Sequence, residues 1–230
     1  MNDYLNVANP NPQATVAILM IPDIWGQTDY SQATAQGFAD DDGLPCYSLD
    51  YFYQVTGKPS RFDPQNDGDT AVGLMDSYRG EDFVAIFERA LADIKTAQPS
   101  LQSLTVIGFC FGGRLAYLTG LEKIVDKIVS FYGAGALRPG FYKQQSAIEA
   151  LCESRNSDPG LEVLAFFGTE DASISPQDRK TTQDIFGQTQ ISYRSSEQTA
   201  GHAYFQPGRP DYDASAAALS KAVLDKFLLP

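Results

Sequence analysis

Residues 104–113, Leu104-Thr105-Val106-Ile107-Gly108-Phe109-Cys110-Phe111-Gly112-Gly113, decide the fold. Leu104 to Phe109 is mostly apolar and β-branched, the composition of a strand buried on both faces. Gly112 to Gly120 then reads as a helix. Cys110 stands between them, at a tight strand-to-helix turn. The glycines two residues before and two after it keep neighbouring chain away from an apex that presents one side chain. A helix starting just past Cys110 puts its N-terminus beneath the sulfur, which favours thiolate over thiol. It also aims the Phe111 N–H at the place where an oxyanion would form. A bare Gly-x-Cys-x-Gly fits a buried structural cysteine equally well. The strand before it and the helix after it favour catalysis.

Outward from this turn, strands and helices alternate. Thr15 to Ile21 is a continuous apolar run ending at Pro22, and Leu44 to Phe52 reads as a second core strand. A helix is expected over Tyr30 to Asp40, stopping near Gly43. Glu81 to Ala97 carries Phe83, Ile86, Phe87, Ala90, Leu91 and Ile94 on one helical face, and Pro99 ends it. Further strands are expected at Lys127 to Tyr132, Leu161 to Phe167 and Gln190 to Arg194. Ser175-Pro176 opens a helix, with serine as N-cap and proline in the first turn. Asp213 to Leu228 closes the chain as an amphipathic helix. The segment from about Gln54 to Tyr78 shows no period and reads as a long loop. This order predicts one α/β domain over residues 1–230, with a mostly parallel sheet covered by helices on both faces. In such sheets the active site lies at the carboxyl ends of the strands.

Three further positions fall at those ends. His202, the sole histidine, follows Ala200-Gly201 in a loop, where a base can reach the elbow. Asp171 directly follows a strand and can orient that histidine, with Glu170 as its rival. The chain order nucleophile, acid, histidine is that of α/β-hydrolases. The turn Ile21-Pro22-Asp23-Ile24-Trp25-Gly26 supplies the second oxyanion donor from the Ile24 N–H, and Trp25 is pocket wall or packing. Gly133-Ala134-Gly135 lacks the third glycine of a dinucleotide loop and leads into no helix start, so no dinucleotide site is expected there, and no cofactor is expected elsewhere.

The composition narrows the partners. The 230 residues carry a net charge of −12, which argues against nucleic-acid or anionic-membrane partners. No apolar run reaches the ~18 residues of a membrane span. Met1-Asn2-Asp3-Tyr4 has no signal-peptide character. Three scattered cysteines, Cys46, Cys110 and Cys152, then read as free thiols of a cytoplasmic protein, too dispersed for a metal site. A monomer or small homo-oligomer is expected.

The motifs Gly108-Phe109-Cys110-Phe111-Gly112-Gly113, Gly168-Thr169-Glu170-Asp171, Ala200-Gly201-His202-Ala203-Tyr204-Phe205 and Tyr212-Asp213-Ala214-Ser215-Ala216-Ala217-Ala218-Leu219 resemble the dienelactone hydrolases (carboxymethylenebutenolidases). The resemblance runs from about Val16 to Pro230. It implies an α/β-hydrolase fold and hydrolysis of a small ester or lactone. It also implies a Cys110–His202–Asp171 triad working through a thioester, and oxyanion amides at Ile24 and Phe111. Asp23 takes the place of the family's thiol-modulating glutamate, one methylene shorter. Gln54 and Gln206 stand where dienelactone-cleaving members carry arginines for the substrate carboxylate, with Arg61 and Arg209 as nearby substitutes. Neutral amides cannot make charge-assisted bidentate pairs. The rival readings are a thiol esterase or thioesterase on an uncharged substrate, a non-catalytic small-molecule binder on the same scaffold, and a redox-sensing thiol protein.

Overall fold

In the computed structural model, which describes residues 2–228, strand β1 (Leu5–Ala8) is followed by β2 (Val16–Ile21) and α1 (Asp29–Asp42). Then come β3 (Cys46–Leu49), α2 (Tyr53–Thr56), α3 (Gly68–Ser77) and α4 (Gly80–Ala97). The elbow joins β4 (Ser103–Phe109) to α5 (Phe111–Thr119), and β5 (Val125–Phe131) and α6 (Ala147–Arg155) follow. The rest is β6 (Glu162–Gly168), α7 (Pro176–Phe186), β7 (Ser192–Gln198) and α8 (Ala214–Leu228). Leu229 and Pro230, the end of the expected resemblance, lie outside the described residues, as does Met1.

The strands form one sheet in the order β1-β3-β2-β4-β5-β6-β7. Only the β1–β3 pair is antiparallel. Successive side chains of a strand alternate between faces, and β2 follows this. Leu19 and Ile21 pack with Phe83, Phe87 and Leu115 of α4 and α5. Ile18 and Met20 pack with Phe38 of α1 and Leu224 and Phe227 of α8. Each fully buried phenylalanine of α4 contributes roughly 2–3 kcal/mol of apolar burial. The central strands β2 and β4 thus carry apolar residues on both faces, and their shared carboxyl edge is where the chain turns toward the site.

The structure departs from the sequence reading in several places. Residues 54–78 are not a plain loop: they hold the short α2 and the ten-residue α3. Only Ala71 of α3 is buried, so that helix carries no apolar stripe to reveal it. The second core strand is shorter than expected, because Asp50 turns the chain after Leu49. β7 runs to Gln198, well past Arg194. As an edge strand of mostly exposed polar residues, it lacks the apolar signal of the inner strands. α6 went unread although its N-terminus bears a capping box, with Ser146 Oγ accepting from the Glu149 N–H and the Glu149 carboxylate accepting from the Ser146 N–H.

Candidate active site

The elbow is built from backbone contact. Cys110 adopts φ 54° and ψ −117°, a conformation that costs a non-glycine residue about 1–3 kcal/mol. The Cys110 N–H donates to Phe131 O at 2.9 Å, tying the apex to β5. A Cβ on Gly108 would strike the Gly112 carbonyl, and one on Gly112 would strike the carbonyls of Ile21 and Pro22. The start of α5 therefore lies against the end of β2. This proximity sets the Ile24 turn beside the sulfur. Neither the Ile24 nor the Phe111 N–H has a hydrogen-bond acceptor among the described residues, leaving both for a ligand oxygen.

The imidazole reaches the sulfur. His202 Nε2 lies 3.1 Å from Cys110 Sγ, and its Nδ1 lies 2.7 Å from Asp171 Oδ2. The other Asp171 oxygen accepts the Ser173 N–H at 2.7 Å, which fixes the carboxylate plane. The Asp171 side chain is fully buried and that of His202 is 25% exposed. Glu170 points to solvent, so the structure separates the two acids that the sequence left as rivals. Gly168 sets this geometry, since a Cβ there would meet the Ala200 carbonyl. Close passage of the two chain segments brings Asp171 and His202 together across 31 residues of sequence. Burial opposes a charged imidazole, but hydrogen bonds to Asp171 and Cys110, together with their negative charges, outweigh it. The His202 pKa is pushed up to about 10. At neutral pH the ring holds a proton and can donate toward both neighbours. The other two cysteines differ: burial pushes Cys152 up to about 12, and burial with the Asp42 charge pushes Cys46 higher still.

Asp23, one methylene shorter than the family's glutamate, makes no hydrogen bond to the thiol. One of its oxygens pairs with Arg209 Nη2 at 2.6 Å and the other accepts the Trp25 N–H at 3.0 Å. The short side chain is committed within its own turn and to Arg209, and the only hydrogen bond of Cys110 Sγ among the described residues is to His202. The Arg209 guanidinium also lies over the Trp25 ring at 5.0 Å, and its Nε donates to Gln206 Oε1 at 3.1 Å. Trp25 is thus half-buried beneath a cation, and Gln206 is a buried partner of Arg209. Gln54 lies on α2 with its side chain exposed. Arg61 is an exposed rim residue paired with Asp29 at 2.7 Å. Arg61, Arg209, Phe62 and Tyr30 line an open cavity of about 510 Å³.

Two residues near the site escaped the sequence reading. Tyr132, at φ 38°, packs edge-on to His202 at 5.2 Å between ring centroids, with its hydroxyl buried and unpartnered among the described residues. Arg114, one helical turn past Cys110, is buried. Its only sequence signal was a charge on a helix otherwise made of apolar and small residues. Among the described residues no group of three His, Cys, Asp or Glu side chains converges as metal ligands, and no helix is long and apolar enough to cross a membrane.

The sequence profile of the Dienelactone hydrolase family matches residues 5–228. A carboxymethylenebutenolidase of Pseudomonas putida is 24% identical over 227 residues, covering 97% of this chain and 89% of its own. A solved dienelactone hydrolase-like promiscuous phosphotriesterase from metagenomic libraries superimposes with a TM-score of 0.71 at 21% identity, covering 97% of both chains. The native Est2 esterase of Thermogutta terrifontis reaches 0.63 at 18% identity, covering 97% of this chain and 86% of its own. With a seven-stranded, mostly parallel sheet beneath a profile match of nearly full length, the chain belongs to the dienelactone hydrolase family and is a carboxylic ester hydrolase on the α/β-hydrolase fold.

Proposed function

We propose that the protein cleaves a small ester or lactone by acyl transfer to Cys110. The observation that carries this reading is the His202 ring, hydrogen-bonded to Cys110 Sγ on one nitrogen and to Asp171 on the other. Cys110 attacks as a thiolate, with its proton resident on His202. The carbonyl oxygen takes the negative charge, facing the free N–H groups of Ile24 and Phe111. Collapse of the tetrahedral intermediate breaks the C–O bond, and His202 gives its proton to the departing oxygen. A water molecule, deprotonated by His202, then attacks the thioester. The acid is released and the thiolate–imidazolium pair is restored. Asp171 holds the ring in orientation and offsets its charge throughout.

The substrate reading follows from charge. Arg209 is the cation next to the first turn, and Asp23 already neutralises it, while Gln206 is occupied by the same guanidinium. Both expected carboxylate partners, Arg61 and Arg209, are thus already paired with acids, which favours an uncharged ester over an anionic dienelactone.

Cys110→Ala tests the chemistry. The variant should lose turnover of p-nitrophenyl acetate, and the parent enzyme should yield an acetylated Cys110 peptide when quenched in mid-reaction. Parent-like hydrolysis by the variant would end the thioester reading. A binding protein on this scaffold predicts instead a Cys110 that resists iodoacetamide near neutral pH. For the substrate, matched lactones with and without a carboxylate should show the uncharged one turning over faster.

A further inference from the structure

Arg114 is a buried cation that the triad does not use. It sits on α5 one turn past Cys110, and its backbone N–H donates to Cys110 O at 3.2 Å. It is only 7% exposed. Its Nε donates to Ala134 O at 2.8 Å, and its guanidinium lies over the rings of Phe111 at 4.8 Å and Phe141 at 5.1 Å. A Cβ on Gly135 would fall 2.7 Å from Cζ, so the loop after β5 closes tightly around the group. Its Nη1 is buried without a hydrogen-bond partner among the described residues. None of the ion pairs among the described residues includes Arg114.

A guanidinium buried without a carboxylate is expensive to keep. The question is which negative charge answers it. The groups facing it are Cys110 at the head of α5, Tyr51 after β3, Asp76 on α3 and Arg138 in the loop after β5. Burial and the Arg138 charge lower the Arg114 pKa to about 10, so it stays cationic at neutral pH. Asp76 and Arg138 are exposed, where solvent screens them. Tyr51 is fully buried and held neutral by that burial. Cys110 is the remaining group, and the charges of the reacting site lead to the same answer. Asp171 and the His202 imidazolium cancel, and Asp23 and Arg209 cancel. A thiolate at Cys110 then leaves one negative charge unmatched, and Arg114 is the buried cation on the helix that begins there.

We propose that Arg114 is a positioning residue that supplies the counter-charge for the Cys110 thiolate and for the oxyanion that replaces it after attack. The negative charge moves from sulfur to oxygen in that step, so the net charge that Arg114 answers does not change. This rests on Cys110 being the nucleophile. At an effective dielectric of about 20, a unit charge even roughly 10 Å from the sulfur is worth about tenfold in the thiolate equilibrium.

The test is the pH dependence of Cys110 alkylation by iodoacetamide, with steady-state kinetics on p-nitrophenyl acetate, for Arg114→Met, Arg114→Gln and Arg114→Lys. In the two neutral variants the alkylation midpoint should rise by about one pH unit and kcat should fall about tenfold at unchanged KM. Arg114→Lys should recover most of both. Gln keeps a donor for Ala134 O and carries the test if the Met variant does not fold. The proposal is overturned if a folded neutral variant keeps the parent midpoint and kcat, if Lys is as impaired as Met, or if neither neutral variant folds, which would make the guanidinium a structural tie. Failure of the underlying reading looks different: the parent enzyme itself would then resist alkylation at Cys110, and Cys110→Ala would still turn over.

Discussion

On one side of Cys110, backbone packs against backbone. Gly112 lies against the carbonyls of Ile21 and Pro22, Gly168 against that of Ala200, and His202 bridges Cys110 and Asp171 with contacts of 3.1 and 2.7 Å. On the other side, side chains tie distant loops together: Asp23 to Arg209 across 186 residues, Arg209 to Trp25 and Gln206, and Arg61 to Asp29. The first bank has almost no freedom to vary without losing the fold, because a single methyl group would collide with a carbonyl. The second can be rewired by one substitution at modest cost. On the proposed mechanism the chemistry belongs to the rigid bank, and selection among substrates to the adjustable one.

The rigid bank breaks most completely at Asp171. Asp171→Asn keeps the shape but lets the amide stabilise the wrong imidazole tautomer. In hydrolytic triads a change of this kind lowers kcat by roughly 10³–10⁴. Steady-state assay of the folded variant checks it, and a loss below tenfold would remove Asp171 from the triad. Gly112→Ala comes next. Its Cβ meets two backbone carbonyl oxygens, those of Ile21 at the end of β2 and of Pro22 just past it, so relief requires moving α5 or β2. A loss of about 3 kcal/mol in urea unfolding is expected, whereas Gly37→Ala, with open space around its Cβ, should be neutral or stabilising.

The pH profile sharpens the same bank. A folded-state His202 pKa of about 10, above the unfolded value of about 6.5, contributes stability that is fully present below pH ~6.5 and lost as pH rises through 10. In the proposed mechanism the same proton serves the leaving group, so kcat/KM should fall on the alkaline side with a midpoint near 10. That midpoint belongs to the His202–Cys110 pair and not to either residue alone. A midpoint near 6.5 would mean that the ring is not held as an imidazolium.

The two banks also differed in how far the sequence could disclose them. Gly108, Cys110 and Gly112 announce the elbow because each answers a local steric demand. β2 and α4 announce themselves by a run of apolar residues and a stripe of them. Asp171 and His202 were placed by their position after strands and by the family motifs, while the rivalry of Glu170 ends only with the side-chain directions, Glu170 being exposed and Asp171 buried against His202. The Asp23–Arg209 pair had no local signature: an arginine in a polar loop looks solvated until the fold carries it to a buried acid. α3 and β7 were hidden for a related reason, since an element that buries little needs no periodic apolar pattern.

Asp23→Asn is the smallest effect and the most informative about the adjustable bank. The asparagine keeps an oxygen for the Trp25 N–H but releases Arg209 from its counter-charge. The unmatched guanidinium then stands beside the turn that carries Ile24, the proposed oxyanion donor. An anionic substrate should gain and a neutral one should not. With charges some 8 Å apart at an effective dielectric of 20–40, the preference for a carboxylate-bearing lactone over its uncharged analogue should rise about tenfold in kcat/KM. If the ratio stays fixed while both rates fall together, Asp23 acts on the turn that carries Ile24 instead of on charge, and the charge account of substrate selection fails.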